Sequence, residues 1–367
     1  MSDKTPLYQI ALKLVPGIGD VLGKKLITCC GSAEAVFREK KMLLEKVPRI
    51  AGKIVEALSD KSILERAEKE LAFIDKFRIR TLFFLDKDYP SRLKNCIDSP
   101  VLLYYKGNAD LNRSRIIGVV GTRNATEYGR TICHKIISDL AEDKVMIISG
   151  LAHGIDSCAH RAALEFNLET IGVLGHGLGM IYPYQNKRLA ERMTKNGGLL
   201  TEFINDAIPD RENFPKRNRI IAGISDAILV VEAAVKGGAL ITAEIGNSYN
   251  RDVFAVPGRI DDIYSEGTNQ LIKKNMACLI QSAQDIRFLM GWEEKGPKPN
   301  GFQKKIFLEL TADEKTLVDY INAHGASGID DISNNCRLTM STTSSCLLNL
   351  EFEGIVKSMP GKMYDLA

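Results

Sequence analysis

The sequence predicts an α/β protein built on a doubly wound parallel sheet, with helices before it and a small domain after it. Two consecutive strand–loop–helix units between residues 115 and 160 predict the sheet, because parallel neighbours need crossover connections. Residues 115–121 form a β-branched run that ends in glycine, which is typical of a strand buried on both faces. A similar run at 145–149 leads through a second glycine-bearing loop into a helix. We therefore expect both loops at the carboxyl edge of the sheet, where such folds bind ligands.

The alternation of strands and helices continues to about residue 292. Two earlier apolar segments are expected to extend the sheet at one edge. The predicted strands are 81–86, 101–107, 115–121, 145–149, 169–175, 199–203, 227–232, 252–256 and 277–280.

The region before the sheet, residues 5–75, has the pattern of a purely helical segment. A tight glycine turn at 15–19 joins two helices, and a related stretch recurs at 47–52 with Arg49 and Ala51 in place of the glycines. The pair resembles a double helix–hairpin–helix (SAM-like) unit, whose turn amides can approach a nucleic-acid phosphate. A helical packing unit that contacts no DNA is the alternative.

The segment after the sheet predicts a winged helix. Thr311 and Glu314 match a capping box at the start of a helix, two short helices follow at 329–335 and 341–353, and 355–364 alternates like a hairpin. The presumed recognition helix carries neither Lys nor Arg, although duplex readers normally neutralise phosphates with basic side chains. A docking or packing role is therefore favoured over duplex binding.

These patterns set the expected domain boundaries. The stretch 293–305 is interrupted by glycine and proline and is predicted to be a linker. The expected parts are a helical domain at 1–78, an extended Rossmann-like domain at 79–292, the linker, and a winged-helix-like domain at 306–367.

Composition favours a cytoplasmic protein that binds a polyanion. The chain lacks an 18-residue apolar run and a secretory N-terminal pattern, so no membrane association is expected. Its eight cysteines form no C-x-x-C pair, which favours reduced thiols over disulfides or zinc. Residues 306–367 carry four basic and nine acidic residues, so residues 1–305 have a net charge of +8 against +3 overall.

Arg123 is a candidate phosphate ligand because it follows a buried strand and precedes a helix, with no acid beside it. The adjacent motif is not the dinucleotide fingerprint G-x-G-x-x-G, and no acid ends the second strand, so a dehydrogenase is disfavoured. The chain also lacks HExxH, G-x-S-x-G and Walker A motifs.

A second candidate is the basic cluster of Lys216, Arg217 and Arg219 at the first turn of a predicted helix. The helix dipole disfavours cations there unless an anion bridges them. Pairing with acids is the alternative interpretation, and the candidates are Asp206, Asp210 and Glu212.

Glycines 237 and 238 open another helix and suit close backbone approach to a phosphate. Glu244 on that helix could be a catalytic carboxylate, but no second acid completes a dyad. Four aromatics near loop edges could stack on bases or pack in the core: Tyr128, Tyr182, Tyr184 and Phe214.

Seven motifs in order closely resemble the DNA-processing protein A family, also called Smf, over roughly residues 80–285. They are GTRNAT (121–126), SGLAHGID (149–156), YPYQN (182–186), FPKRNRIIAG (214–223), GGALITA (237–243), VPG (256–258) and GTNQLI (267–272). The resemblance implies a non-enzymatic protein that binds and protects incoming single-stranded DNA. It further implies a homodimer that loads the RecA recombinase in natural transformation, without a cofactor or a metal.

The resemblance also implies a set of phosphate-binding residues on the sheet domain. They are Gly121, Thr122, Arg123, Ser149, Gly150, His153, Gly154, Lys216, Arg217, Asn218, Arg219, Gly237 and Gly238, with Lys187 and Phe214 as possible further DNA contacts.

The alternative function is an enzyme similar to the nucleotide phosphoribohydrolases, which also use a glycine-opened helix and a nearby glutamate. Their pattern G-G-x-G-T-x-x-E is not met here, because Leu240 and Ile241 stand where Gly and Thr are required.

Overall fold

The computed structural model describes residues 5–40, 44, 47, 50, 52–293 and 310–367. One compact unit comprises Met1–Tyr249 and Val253–Ala283, and a second comprises Asn250–Asp252 and Gln284–Ala367. The predicted boundary at residue 78 lies inside the first unit and stays a prediction. The predicted linker from residue 294 onwards lies outside the described residues, as do Pro48, Arg49 and Ala51 of the second glycine turn.

The described N-terminal residues are helical, as predicted. Gly17, with a φ of +86°, forms the turn between the first two helices, a conformation that favours glycine. The helices share an apolar core that includes Ile10, Leu26 and Ile74. Their bounds are α1 Thr5–Leu14, α2 Asp20–Cys30, α3 Ala33–Arg38, α4 Gly52–Leu58 and α5 Lys61–Phe77.

The first unit is organised by a nine-stranded sheet with the order β1-β2-β6-β5-β4-β3-β7-β8-β9. Strands β6, β5, β4, β3 and β7 run parallel. Strands β1 and β2 extend the sheet at one edge, as predicted, and the structure shows that they pair antiparallel. Every predicted strand is confirmed, with ends that differ by a few residues. The strands are β1 Arg80–Phe83, β2 Leu102–Gly107, β3 Ile116–Val120, β4 Met146–Ser149, β5 Thr170–Val173, β6 Gly197–Thr201, β7 Ala227–Val230, β8 Asp252–Ala255 and β9 Cys278–Leu279.

The strand order reverses between β3 and β7, and this reversal decides where a ligand can enter. From β3 the chain moves through β4 and β5 to β6 on one side, and from β7 it moves through β8 to β9 on the other. The loops that follow β3 and β7 therefore diverge and leave a crevice at the carboxyl edge.

The helices between β1 and the end of this region are α6 Ser91–Lys94, α7 Glu127–Asp139, α8 Ile155–Glu165, α9 Lys187–Met193, α10 Asn213–Ile224, α11 Gly238–Ser248, α12 Glu266–Lys273 and α13 Ala283–Leu289.

The second unit has the elements that the sequence predicted for a winged helix. Thr311 and Glu314 form the capping box, and a three-stranded sheet has the order β10-β12-β11. The elements are α14 Ala312–His324, β10 Ser327–Gly328, α15 Ile329–Cys336, α16 Met340–Phe352, β11 Val356–Met359 and β12 Met363–Leu366. Across the described residues of both units, no helix combines the length and the apolar character that a bilayer crossing requires.

His160, on α8, is enclosed against the sheet as a neutral imidazole. Thr170 Oγ1 donates to the Ile147 carbonyl oxygen at 2.9 Å, so it accepts from His160 Nδ1 at 2.7 Å. The buried Nε2 has no hydrogen-bond partner, which fixes it as the unprotonated nitrogen. Burial lowers the pKa of His160 from 6.5 to about 3.

We predict that the stability of the first unit falls in acid because of His160. Between pH 6.5 and about 3 the unfolded chain binds a proton that the folded chain does not, so folding is penalised as the pH decreases. The expected loss from pH 6.5 to pH 5 is about 2 kcal/mol. Urea unfolding at both pH values would measure it. His160→Gln should flatten the pH dependence and His153→Gln, at an exposed site, should not; equal slopes in all three proteins would contradict the assignment.

Candidate functional site

A pocket of about 330 Å³ occupies the crevice between the loops that follow β3 and β7. We call it the switch-point pocket. It is lined by residues 120–123 at the end of β3 and just after it, by 233, 234 and 236–239 around the start of α11, and by residues at the start of α8 and in the N-terminal part of α10. The elements that the sequence placed at the carboxyl edge therefore converge on one cavity.

The loop that carries Arg123 is fastened by Glu232, a buried acid two residues after β7. The Glu232 carbonyl oxygen accepts the Thr122 amide at 2.8 Å, and its carboxylate accepts both the amide (2.9 Å) and the hydroxyl of Thr126. Thr126 in turn accepts the Gly129 amide at 3.1 Å and so begins α7. Glu232 thus fixes both ends of this loop to the neighbouring strand.

Arg123 is exposed at the mouth of the switch-point pocket. Its guanidinium lies 5.4 Å from the centre of the Phe214 ring, within cation–π range, and the Tyr182 ring lies 6.3 Å from Phe214. The aromatic neighbours orient the cation without neutralising it, so its charge stays available to an anion.

Arg217 forms the floor of the pocket and is only 5% exposed. Its Nη1 donates to the Gly150 carbonyl oxygen at 2.5 Å and to the Val173 carbonyl oxygen, while the buried Nε has no hydrogen-bond partner. Burial lowers the pKa of Arg217 to about 10, so the side chain is still charged at neutral pH. A Cβ at residue 150 would lie 2.1 Å from Arg217 Nη1, which explains the glycine there.

Asp156, in the first turn of α8, also lines the pocket and is 7% exposed. Burial raises the pKa of this carboxyl, and the charge of Arg217 opposes the shift. Its carboxylate accepts the Ala152 amide at 3.3 Å. The acid therefore compensates part of the charge of Arg217 from inside the protein.

The opposite wall is the start of α11. Gly237 occupies the N-cap position, and no side chain caps the helix. Asn218 Nδ2 donates to the Gly238 carbonyl oxygen at 3.2 Å, which holds α11 against α10, and the exposed Lys236 precedes the glycines. Amide groups and the helix dipole at such an N-terminus favour an anion.

His153 and Gly154 lie on the far side of the Arg123 loop and line a neighbouring pocket. Gly154 has a φ of +76°, and a Cβ there would lie 2.2 Å from the Thr122 carbonyl oxygen. This close approach fixes the start of α8 against the Arg123 loop. Among the described residues, no group of His, Cys, Asp and Glu side chains is arranged to hold a metal ion.

Two of the predicted phosphate ligands are placed elsewhere, and these predictions need correction. Ser149 is fully buried, and its hydroxyl donates to the Val119 carbonyl oxygen at 2.6 Å, so it ties β4 to β3. Arg219 points away from the pocket, where its Nη2 lies 2.6 Å from Glu202 and 3.0 Å from Asp20. Pairing with acids is thus correct for Arg219, but with partners other than those considered from the sequence.

Lys216 and Lys187 are both exposed but do not line the switch-point pocket. Lys187 lies over the ring of Tyr184, with Nζ 5.8 Å from its centre. The structure therefore brings together Arg123, Arg217 and Asn218 with the two glycines at the start of α11, and leaves Lys187 and Lys216 at the periphery.

Comparison with known proteins identifies the family. The model of DNA recombination-mediator protein A matches residues 80–290, and that of the DprA winged helix domain matches residues 308–362. The chain belongs to the DNA recombination-mediator protein A family. The second match also confirms the winged helix.

Two relatives each match more than half of this chain. Protein Smf of Synechocystis sp. is 34% identical over 99% of this chain and 99% of its own length. DNA processing protein DprA of Streptococcus pneumoniae is 44% identical over 55% of this chain and 71% of its own length.

Two solved structures of the family have the same fold. The X-ray structure of DNA processing protein A from Streptococcus pneumoniae has a TM-score of 0.57 and 35% identity, and the match covers 73% of this chain and 97% of that one. The protein from Helicobacter pylori, whose structure is reported with a single-stranded DNA binding mode, has a TM-score of 0.54 and 29% identity, with coverage of 59% and 98%.

Three residues of the candidate site in this chain were not predicted from the sequence: Glu232, Asp156 and Lys236. Glu232 ends a buried strand, and an acid there is unusual enough to have been a signal. Asp156 stands one residue after the predicted start of α8, as a first-turn acid does in many ordinary helices. Lys236 precedes the two glycines and was available as a basic residue at a helix start.

We predict that Arg219 stabilises the first unit. Its side chain is 13% exposed, and Arg219→Met would leave the buried Glu202 and the half-buried Asp20 with reduced charge compensation. The expected loss in the free energy of unfolding is about 3 kcal/mol. Urea unfolding would measure it, with Arg259→Met as the control because Arg259 pairs with Asp261 on the exposed surface and should contribute below about 1 kcal/mol. Equal effects of the two substitutions would refute the assignment.

Proposed function

We propose that this chain binds single-stranded DNA through backbone phosphates held in the switch-point pocket. The observation that carries the proposal is the convergence of Arg123, Lys236 and the uncapped start of α11 on one cavity with the charged Arg217 beneath it. Such a set of cations and amides suits a phosphate. The single-stranded DNA binding mode reported for the Helicobacter pylori relative supports the choice of ligand.

Single strands are favoured over duplexes for two reasons. The half-buried Phe214 lines the pocket and the exposed Tyr182 lies beside it, so unstacked bases could lie against these rings. In the winged helix, α16 (Met340–Phe352) contains no Lys or Arg, so it lacks the side chains that neutralise duplex phosphates.

The wider role is part of the proposal, and family membership supports it. We propose that the chain acts in the cytoplasm as a homodimer that protects incoming single-stranded DNA and loads the RecA recombinase in natural transformation. The names of the Streptococcus pneumoniae and Bacillus subtilis relatives, both DNA processing protein DprA, support a role in DNA processing. Acceleration of RecA filament nucleation on single strands by the purified protein would test the loading step.

The pocket favours binding over catalysis. Glu244, the carboxylate that an enzyme of the phosphoribohydrolase type would use, is exposed and does not line the pocket. The carboxylate among the described lining residues is Asp156, which is buried beside Arg217. Neither acid is placed as an accessible general acid or base.

We predict that Arg123→Ala and Lys236→Ala each weaken single-strand binding by about tenfold, since each removes a phosphate contact. The slope of log affinity against log salt should decrease by about 0.7 for each substitution, whatever the base sequence. A fluorescence titration with labelled oligonucleotides at several salt concentrations would measure both. Lys273→Ala, an exposed charge outside the pocket, should leave affinity and slope unchanged. Wild-type affinity in both pocket variants would exclude the pocket as the binding site.

We further predict that the purified protein releases neither base nor ribose phosphate from nucleoside monophosphates. Chromatography of the products after prolonged incubation would detect turnover. Hydrolysis that persists through purification and is lost in Glu244→Gln would favour the enzyme, whereas hydrolysis that Glu244→Gln leaves unchanged would point to a contaminant.

A further inference from the structure

A second, more open pocket of about 840 Å³ adjoins the switch-point pocket on the other side of the Arg123 loop. It lies between that loop and the facing surfaces of α7 and α8. We call it the flanking basic pocket. Its ionisable side chains, apart from the thiol of Cys158, are Arg123, Arg130, His134, His153, Arg161 and Glu165.

The charge of this pocket is positive and mostly unopposed. Arg130 is 54% exposed, and its Nε lies 3.6 Å from Glu127, an exposed carboxylate whose attraction is screened by water. Arg161 is exposed and has no ion-pair partner within 4.0 Å in the described part of the chain. Glu165 lies 3.3 Å from His134, so the one carboxylate of the lining is directed at an imidazole rather than at an arginine.

The two pockets share one lining side chain, that of Arg123. His153 and Gly154, just before α8, line the second pocket. A flexible polyanion that contacts Arg123 from one side can therefore reach Arg130 and Arg161 on the other. No Phe, Tyr or Trp side chain is among the described residues that line the flanking basic pocket, so its lining is suited to phosphates more than to base stacking.

We propose that the flanking basic pocket binds the backbone phosphates of the same DNA strand next to the nucleotide in the switch-point pocket. Arg130 and Arg161 neutralise these phosphates without reading the bases. The inference rests on the proposed function and extends it, because it assigns a second phosphate subsite and a direction in which the strand leaves the first.

Cys158 makes occupancy of this pocket measurable. Its partly exposed thiol lines the pocket, and its Sγ donates to the Arg130 carbonyl oxygen at 3.6 Å. A hydrogen bond with Cys133 and the nearby cations lower the pKa of Cys158 to about 7, so a useful fraction is thiolate at neutral pH. A strand lying over Arg130 and Arg161 would shield this sulfur from an alkylating reagent.

The first test compares single-strand binding by the wild type and by the double variant Arg130→Ala, Arg161→Ala. With an oligothymidylate of about 20 nucleotides, loss of two phosphate contacts should reduce the salt slope by about 1.4 and the affinity about a hundredfold. The control is Lys135→Ala, an exposed charge on α7 that lines neither pocket and should change nothing. A double variant with the wild-type salt slope would overturn the proposal.

The second test needs no variant. Iodoacetamide labelling of the wild type, read by peptide mass spectrometry, should be slowed several-fold at Cys158 by the oligothymidylate and not at the exposed Cys278. Thymidine monophosphate, which is too short to span both pockets, should protect Cys158 little. Equal labelling with and without the oligonucleotide, while binding is saturated, would refute the second subsite. Failure of the wild type to bind the oligonucleotide at all would instead refute the proposed function.

Discussion

The attachment of the Arg123 loop to Glu232 is the constraint on which the site depends. This loop leaves the sheet where the strand order reverses, next to the segment that follows β7. Glu232, which follows β7, holds Thr122 through its backbone carbonyl oxygen and Thr126 through its carboxylate. Because Glu232 is almost fully buried, these hydrogen bonds are protected from water and hold Arg123 between two cavities.

Most of the fold could be predicted from sequence because its determinants are local. Buried β-branched runs, glycine-bearing loops and the Thr311–Glu314 capping box each specify an element from a few neighbouring residues. The strand order could not be predicted in this way, since β2 and β6 pair across almost a hundred residues. The position of the crevice between β3 and β7 follows from that order and therefore became visible only in the structure.

The candidate site was predicted less completely because adjacent residues on a helix face different directions. Lys216, Arg217 and Arg219 form one basic cluster in sequence, yet successive side chains are rotated by about 100° around α10. Lys216 consequently faces solvent and Arg217 enters the sheet edge. Arg219 reaches Asp20, the first residue of α2, and Glu202, which follows β6. The helical pattern of 216–224 was sufficient to predict that these side chains face different directions. It was not sufficient to predict the partners of Arg219, since Asp20 is distant in the chain.

Because Gly150 and Arg217 are in contact, the residues that can occupy these two positions depend on each other. The guanidinium fills the volume that any side chain at position 150 would need, and it uses the Gly150 carbonyl oxygen as its acceptor. A larger residue at 150 would therefore be compatible only with a shorter one at 217, and that exchange would remove the positive charge beneath the cavity. Redesign of this protein for a neutral or cationic ligand would have to begin with both positions together.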